Sequence, residues 1–355
     1  MIALLTFVAG VAGLLVAANL VVSGSSQLGL LLGLTPTIIG LTIVAAGTSA
    51  PELAVVGQAV ANDDSELAVG SIIGSNIANV LLVLGTVAAL GAVRVKARVV
   101  RIDIPIMIGA SLLFFAFAFN SVITRLEALV LLGGIISFTA WTIRTARNKP
   151  VPGQDRLEMT TSKRPARVYV ILAGKLVIGV SGLAVAARLV VSGAEEIAAS
   201  LGVPELIIGL TVVAIGTSAP EIVTTVVAAI KGQADLAVGN AVGSNIYNIL
   251  FVLGAVGVVA PDGIGVSSDA VALDLPVMIA AAIACLPFLA ADHVLNRWEG
   301  YVFLAYYGAY VTFLSLDAAD HDATDDFALF FGVIVIPLTV ITVATIVIRQ
   351  LRQRG

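Results

Sequence analysis

The chain has 355 residues and a formal net charge of −4; 59% of its residues are hydrophobic and 12% are charged. Roughly a quarter of the residues in soluble proteins are charged, so this composition and the mean hydropathy of +1.06 exclude a soluble domain and predict an all-α protein of the lipid bilayer. The single cysteine, Cys285, excludes an internal disulfide framework and argues against a cysteine-ligated metal cluster.

Apolar runs of about twenty residues, each long enough to cross a bilayer, follow one another along the chain. The first run begins without the basic leader of a secretory signal, so we expect a retained helix. We predict eleven transmembrane helices, numbered 1 to 11, at residues 2–23, 36–60, 66–90, 100–119, 124–146, 169–193, 205–230, 235–259, 269–289, 295–316 and 326–349.

Two segments recur with an offset of 169 residues. GLTIVAAGTSAPEL, from Gly40, returns from Gly209 as GLTVVAIGTSAPEI, with 11 of 14 positions identical. LAVGSIIGSNIANVLLVLG, from Leu67, returns from Leu236 as LAVGNAVGSNIYNILFVLG, with 13 of 19 positions identical. The chain is therefore a duplicated unit.

The duplication carries helices 1–5 onto helices 6–10. Because five is odd, the second copy enters the membrane from the opposite side, which predicts ten core helices in two inverted repeats plus an additional C-terminal transmembrane helix. The predicted divisions are a first repeat, a cytoplasmic loop, a second repeat, and an acidic outer loop with helix 11 and a basic tail, at residues 1–147, 148–168, 169–316 and 317–355.

Basic residues cluster in three places that fall on one side of this topology, within 94–101, 144–167 and 349–354. Lys and Arg accumulate in short cytoplasmic loops, so we predict a multi-pass protein of the cell membrane with its amino terminus outside and its carboxyl terminus in the cytoplasm. The outer loops at 63–66 and 317–326 are acidic; we interpret them as solvated, and neither has EF-hand spacing.

The motif GTSAPE places a proline and a carboxylate inside a membrane-spanning run of each repeat. Pro51 and Pro220 cannot donate to the carbonyls of Gly47 and Gly216, so the helix can open there and offer backbone oxygens to a cation. Helical spacing also puts two hydroxyls and one carboxylate on one side of each helix. These side chains are Thr48, Ser49 and Glu52 in the first repeat, and Thr217, Ser218 and Glu221 in the second.

The motif GSNIxN adds neutral oxygens at i,i+4 spacing: Ser75 with Asn79, and Ser244 with Asn248. An ionised carboxylate near the bilayer centre costs about 2.5–3.5 kcal/mol, a cost that a packing role would hardly justify twice. Inverted repeats bring broken helices together near the midplane. We therefore predict one site for a hard cation, where two carboxylates balance one Ca2+ or two Na+ without a basic partner.

GTSAPE paired with GSNIxN in both halves, over residues 1–316, resembles the sodium/calcium exchanger family of the cation/calcium antiporter superfamily. The resemblance implies ten core helices in two inverted repeats, with Na+ and Ca2+ competing for overlapping sites and crossing in alternation while helices 1 and 6 slide against the rest. We expect a transporter and not an enzyme, with no cofactor, no nucleic acid and no obligate protein partner.

Position by position, the resemblance also implies the ligands. Its carboxylate and amide ligands fall on Glu52, Glu221, Asn79 and Asn248. Its hydroxyl ligands fall on Thr48, Ser49, Thr217, Ser218, Ser75 and Ser244, and its backbone carbonyl ligands on Ala45 and Ala214. Some prokaryotic members carry an aspartate at the position of Asn248, so this centre has one titratable group fewer.

The GTS sequence favours sodium coupling, because related cation/proton exchangers tend to have an asparagine-containing GN-type motif there. We therefore predict an electrogenic antiporter in which Na+ entering the cell drives Ca2+ out. A Ca2+/H+ exchanger would transport without Na+, and a gated cation channel would need no counter-ion. An intramembrane enzyme using Ser49 or Ser218 would lack a base, since His293 and His321 lie in predicted loops.

Two further features have structural interpretations. Asp103 and Asp274 each lie two residues before a proline near the predicted starts of helices 4 and 9, and we expect them to cap those helices. Glycines of the second motif are expected to let helices pack closely: Gly70, Gly74, Gly239 and Gly243.

Overall fold

The computed structural model describes residues 2–147, 165–202, 214–290 and 293–319, with Thr324 and Ala344 singly. Most of these residues are helical. The helices in chain order are α1 (Ile2–Leu31), α2 (Pro36–Ala61), α3 (Ser65–Leu90), α4 (Val99–Ala118), α5 (Arg125–Arg147), α6 (Ala166–Ser200), α7 (Ala214–Thr217 and Ala219–Ile230), α8 (Ala234–Val259), α9 (Ala270–Leu289) and α10 (Arg297–Ala318).

Eight of the described helices are long and apolar enough to cross a membrane, which confirms the predicted multi-pass protein. Two of them, α1 and α6, extend well beyond the predicted ranges of 2–23 and 169–193. Helix α1 does not end at residue 23, because it continues to Leu31 before Gly33 turns the chain at a φ of 70°. The start of predicted helix 7, most of the central loop and nearly all of helix 11 lie outside the described residues.

The duplication seen in the sequence recurs in fine structure. Hydrogen bonding is π-helical at Asn79–Leu84 and, 169 residues later, at Asn248–Leu253; a second such pair is Val99–Asp103 and Ala270–Asp274. A π-helical turn changes the direction of the side chains that follow it, and such turns are frequent at functional sites. The first pair begins at the two predicted amide ligands.

Four short strands, absent from the predictions, join the loops of the two halves. Strand β1 (Val93–Arg94), after α3, pairs antiparallel with β4 (Val294–Leu295), after α9. Strand β2 (Val122–Ile123), after α4, pairs antiparallel with β3 (Ile264–Gly265), after α8. Each pair therefore links a loop of one half to a non-equivalent loop of the other.

Helix α8 is the most enclosed element of the core: every residue from Leu236 to Leu250 is buried. It crosses α2 at glycines, where a Cβ added to Gly239 would lie 2.5 Å from the carbonyl oxygen of Thr37, and one added to Gly40 would lie 2.4 Å from that of Leu236. The predicted packing role of Gly239 is confirmed, and the same holds for Gly243, which abuts Leu41. The prediction is wrong for Gly70 and Gly74, because no described heavy atom lies within 4 Å of a Cβ added at either position.

Outside this core, α1 packs along α6, and the two backbones also come close together at a glycine. A Cβ added to Gly193 would lie 2.6 Å from the backbone nitrogen of Phe7. The two longest described helices, α1 and α6, therefore pack together as a pair.

The predicted capping role of Asp103 and Asp274 is wrong. Both residues lie inside continuous helices, because each proline follows a π-helical turn. In such a turn the carbonyl of residue i accepts the N–H of residue i+5, so the helix continues up to the proline. The carboxylate of Asp103 instead lies 3.6 Å from Nε of Arg98, and that of Asp274 accepts a hydrogen bond of 3.0 Å from the hydroxyl of Tyr310.

Substitution of Gly239 by alanine tests the crossing of α2 and α8. The added methyl group would meet backbone that cannot move without displacing the helix, so we expect the free energy of unfolding to fall by about 1–3 kcal/mol. Thermal unfolding in detergent measures it. As a control, Gly109→Ala, where no described heavy atom lies within 4 Å of the added Cβ, should leave the melting temperature unchanged or raise it; equal melting temperatures for both variants would contradict the close crossing.

Candidate cation-binding site

Two broken helices carry the predicted carboxylates to the centre of the fold. Helix α2 is interrupted at Ser49 and α7 at Ser218, and both restart with Ala-Pro-Glu, which places Glu52 and Glu221 in the first turn of a twelve-residue helix. Proline is favoured there because its missing N–H would have no intrahelical partner. The amino end of a helix carries partial positive charge, which stabilises a carboxylate in its first turn.

The two carboxyl groups meet deep inside the protein. Glu52 is 1% exposed and Glu221 is fully buried. Their side chains are direct neighbours, although they come from different repeats. Among the described residues, the ion pairs are Lys96 with Asp235 and Arg98 with Asp103, so no basic side chain neutralises either glutamate.

Hydroxyl and amide groups from both repeats surround this pair. The hydroxyl of Ser75 donates to Glu52 Oε1 at 3.3 Å and accepts from Nδ2 of Asn248 at 3.1 Å. The hydroxyl of Thr48 lies beside Glu221 and is 3.2 Å from that of Ser244. Each of these chains of contacts crosses from one half of the protein to the other.

Several buried polar atoms at this centre have no hydrogen-bonded protein partner. Buried polar groups are normally paired, because an unpaired one costs about 1–3 kcal/mol. Their concentration here points to a ligand that supplies the missing contacts. The atoms are Ser49 Oγ, Ser218 Oγ, Glu52 Oε2, both carboxylate oxygens of Glu221, both amide atoms of Asn79 and Oδ1 of Asn248.

Three predicted ligands remain: the backbone carbonyls of Ala45 and Ala214, and the hydroxyl of Thr217. The carbonyl of Ala45 accepts the N–H of Ser49 at 2.9 Å and also lies 3.4 Å from the Thr48 hydroxyl. Ala214 begins the first segment of α7, and Thr217 ends it with a half-buried side chain. The structure therefore gathers the carboxylates and seven of the neutral side chains in one buried region, whereas the carbonyl of Ala45 is already occupied by helical contacts.

Sequence reasoning missed a second polar group on α7 and α8. Asn240, which is fully buried, donates from Nδ2 to Thr225 Oγ1 at 2.9 Å and accepts from Thr48 Oγ1 at 3.3 Å. The neighbouring Thr224 is also fully buried, and its hydroxyl has no partner. A signal was available: Asn240 lies one helical turn before Ser244 in an apolar helix, but it has no asparagine counterpart in the first repeat.

The donor set suits a hard cation. It consists of two carboxylates with hydroxyl and amide oxygens, the ligands that Ca2+ and Na+ prefer, and the described residues contain no group of three or more His, Cys, Asp or Glu side chains that would favour a transition metal. Neutral oxygens outnumber the charged ones. Such a site can therefore offer oxygen ligands to ions of one or two charges.

Comparison with known proteins identifies the class. A family model described as sodium/calcium exchanger protein matches residues 2–144 and 171–316. The protein is thus a membrane antiporter and not an enzyme. The chain belongs to the sodium/calcium exchanger family.

Individual relatives span nearly the whole chain. A putative antiporter CaxA of Alkalimonas amylolytica is 36% identical over 307 residues, covering 86% of this chain and 96% of that protein. A sodium/calcium exchanger, MaX1 of Methanosarcina acetivorans, is 31% identical and covers 82% and 93%. The solved structure of the sodium-calcium exchanger NCX_Mj soaked with 10 mM Na+ and no Ca2+ superposes with a TM-score of 0.74 at 27% identity, covering 87% of this chain and 98% of that one.

Ser75→Ala tests the bridge between the repeats. The change removes the acceptor of Asn248 Nδ2 and the donor to Glu52, leaving buried polar atoms unpaired, so we expect a loss of about 1–3 kcal/mol in the free energy of unfolding without added cations. Ser25→Ala is the matched control, because that buried hydroxyl bonds only to backbone carbonyls of its own helix. If both variants unfold at the same temperature, Ser75 does not join the two halves.

Proposed function

We propose that this protein is a secondary antiporter that exchanges Na+ for Ca2+ across the cell membrane by alternating access, and that it extrudes Ca2+. One observation carries the proposal: Glu52 and Glu221 lie side by side, buried, without a basic partner. Two negative charges balance one Ca2+ or two Na+, and a third Na+ bound by neutral oxygens would give a net movement of charge.

The ion site consists of these carboxylates together with Thr48, Ser49, Ser75, Asn79, Thr217, Ser218, Ser244, Asn248 and the backbone carbonyls of Ala45 and Ala214. The unpaired oxygens of Ser49, Ser218 and Asn248 support this assignment, because they are buried without a protein partner. Ser49 and Ser218 each lie three residues before a glutamate, and Asn248 is joined to Glu52 through Ser75. No cofactor takes part in the proposed cycle. The free energy comes from the ion gradients and the membrane voltage.

Strand pairing supports a ten-helix core of inverted repeats. The ends of α3 and α9 lie on one side of the membrane, since β1 pairs with β4, and the ends of α4 and α8 lie together, since β2 pairs with β3. Consecutive spanning helices α3 and α4 end on opposite sides. The equivalent helices α3 and α8 therefore end on opposite sides as well, which is the relation that inverted repeats require.

The family match omits residues 145–170 and everything after 316. That pattern favours a first repeat at 1–147, a loop at 148–168, a second repeat at 169–316 and an appended segment at 317–355. With the basic clusters in the cytoplasm, the amino terminus is outside and the carboxyl terminus inside. The close pairing of α1 with α6 suits a two-helix unit that slides past the site to switch access.

Exchange is favoured over a channel because nine of the predicted ligand side chains are at most 3% exposed, with Thr217 half-buried, and an open pore would leave such ligands in contact with water. Sodium coupling is favoured over proton coupling because Asn248 supplies an amide where some family members supply a third carboxyl group. A Ca2+/H+ exchanger is the alternative.

Proteoliposomes loaded with Na+ and diluted into 45Ca2+ measure the coupling. We expect rapid Ca2+ uptake that disappears when choline replaces internal Na+, even with an imposed pH gradient. Glu52→Gln and Glu221→Gln should each reduce uptake at least about tenfold, because one fewer charge faces the divalent ion. Glu66→Gln, an exposed acid in the first turn of α3, is the matched control and should retain activity.

Uptake that persists without Na+ and follows the pH gradient would contradict sodium coupling. Full activity in both glutamine variants would instead reject the site.

Membrane voltage tests the stoichiometry. If more than two Na+ leave the vesicle for each Ca2+ that enters, net positive charge moves outward, and an inside-positive potential set with valinomycin and K+ should accelerate uptake. Each net charge gains about 2.3 kcal/mol per 100 mV. An electroneutral exchange would show the same rate at both polarities, and this outcome would exclude electrogenic transport.

A further inference from the structure

A polar branch extends from the ion site into the second repeat. It runs from Thr48 to Asn240 and on to Thr225, and the side chains of all three are fully buried. With the offset of 169 residues, the counterparts of Asn240 and Thr225 in the first repeat are Ser71 and Val56. The duplicated halves therefore differ next to the glutamates, where most other residues match.

The Asn240 amide has its Nδ2 towards Thr225 and its Oδ1 towards Thr48. Its Nδ2 donates to Thr225 Oγ1 at 2.9 Å, which leaves Oδ1 facing Thr48 Oγ1 at 3.3 Å. An amide oxygen only accepts hydrogen bonds, so the hydroxyl of Thr48 is the donor in this contact. Reversing the amide would put Nδ2 against Thr48 and lose the contact in which Thr48 donates.

The direction of the Thr48 proton matters because Thr48 lies beside Glu221. A hydroxyl has one hydrogen and two lone pairs, and it can bind a cation only through a lone pair. When the site is empty, Thr48 can donate to the Glu221 carboxylate. When a cation sits between them, that hydrogen has to turn to another acceptor.

The other acceptors near Thr48 are poorer. The hydroxyl of Ser244, at 3.2 Å, has a hydrogen of its own to place. The carbonyl of Ala45, at 3.4 Å, already accepts the N–H of Ser49 at 2.9 Å. Asn240 Oδ1 has no hydrogen, and the bond to Thr225 holds it in place.

We propose that Asn240 is a positioning residue that accepts the Thr48 hydrogen while a cation is bound, so that Thr48 presents a lone pair to the ion. This inference rests on the proposed function, since it concerns the same site. Thr48 has an amide acceptor behind it in Asn240, and the residue equivalent to Asn240 in the first repeat is the shorter Ser71.

A double-mutant cycle tests the inference. Ca2+ is titrated by calorimetry into the purified full chain and into Asn240→Ala, Thr48→Ala and the double variant. Loss of one hydrogen bond predicts that Asn240→Ala weakens the Kd about three- to tenfold. In the Thr48→Ala background the same change should alter the Kd less than twofold, because Asn240 acts through the Thr48 hydroxyl.

Asn240→Ser, which copies the first repeat, replaces the alanine variant if that protein does not fold and should weaken the Kd in the same direction. Ser71→Ala is the matched control from the other half and should change the Kd by less than twofold. Thermal unfolding without cations measures how much the contact between Asn240 and Thr225 stabilises the packing of α7 against α8. If Asn240 had only a structural role, Asn240→Ala would lower the melting temperature and leave the Kd unchanged.

An unchanged Kd in Asn240→Ala, or an equal loss with and without the Thr48 hydroxyl, would overturn the inference. If the proposed function itself is wrong, the result is different: the unsubstituted protein will not bind Ca2+, or its Kd will not change in Glu52→Gln and Glu221→Gln.

Discussion

The contact between two buried carboxyl groups, with no basic side chain beside them, is the constraint on which the rest of the fold depends. Like charges repel strongly where water is excluded, and each carboxylate also loses its hydration. The structure offsets part of this cost by starting a helix at each glutamate, so that backbone N–H groups and the helix dipole face the charge. What remains has to be offset by a bound cation or a proton, and a centre of this kind is therefore suited to capturing ions.

Duplication explains how such a centre arises. One repeat supplies one broken helix and one carboxylate, which is too little charge to hold a divalent ion; two repeats supply a matched pair. The contacts of Ser75 with Asn248 and of Thr48 with Ser244 both cross between the halves, so neither half contains the site alone. Symmetry is nevertheless incomplete, because Asn240 has only Ser71 as its counterpart. A transporter that handles two kinds of ion has reason to keep its half-sites unequal.

Repeated motifs and apolar runs predicted most of the architecture, since both depend on local sequence: the helices, the breaks before Pro51 and Pro220, and the meeting of Glu52 with Glu221. The features that were missed depend on tertiary contacts. The short strands form only because loops of the two halves meet, and Asp103 is held by Arg98 within a helix that a π-helical turn carries past the proline. Repetition gives no signal for Asn240, because the equivalent residue of the first repeat is Ser71.

The most direct test of the shared centre is the anomalous scattering of Sr2+ soaked into crystals of this protein as a substitute for Ca2+. The account predicts one strong peak at which the bound ion lies within coordination distance, about 2.3–2.6 Å for Ca2+ and slightly more for Sr2+, of both Glu52 and Glu221. A peak bound by only one of these carboxylates, or located elsewhere while both stay paired with each other, would contradict it.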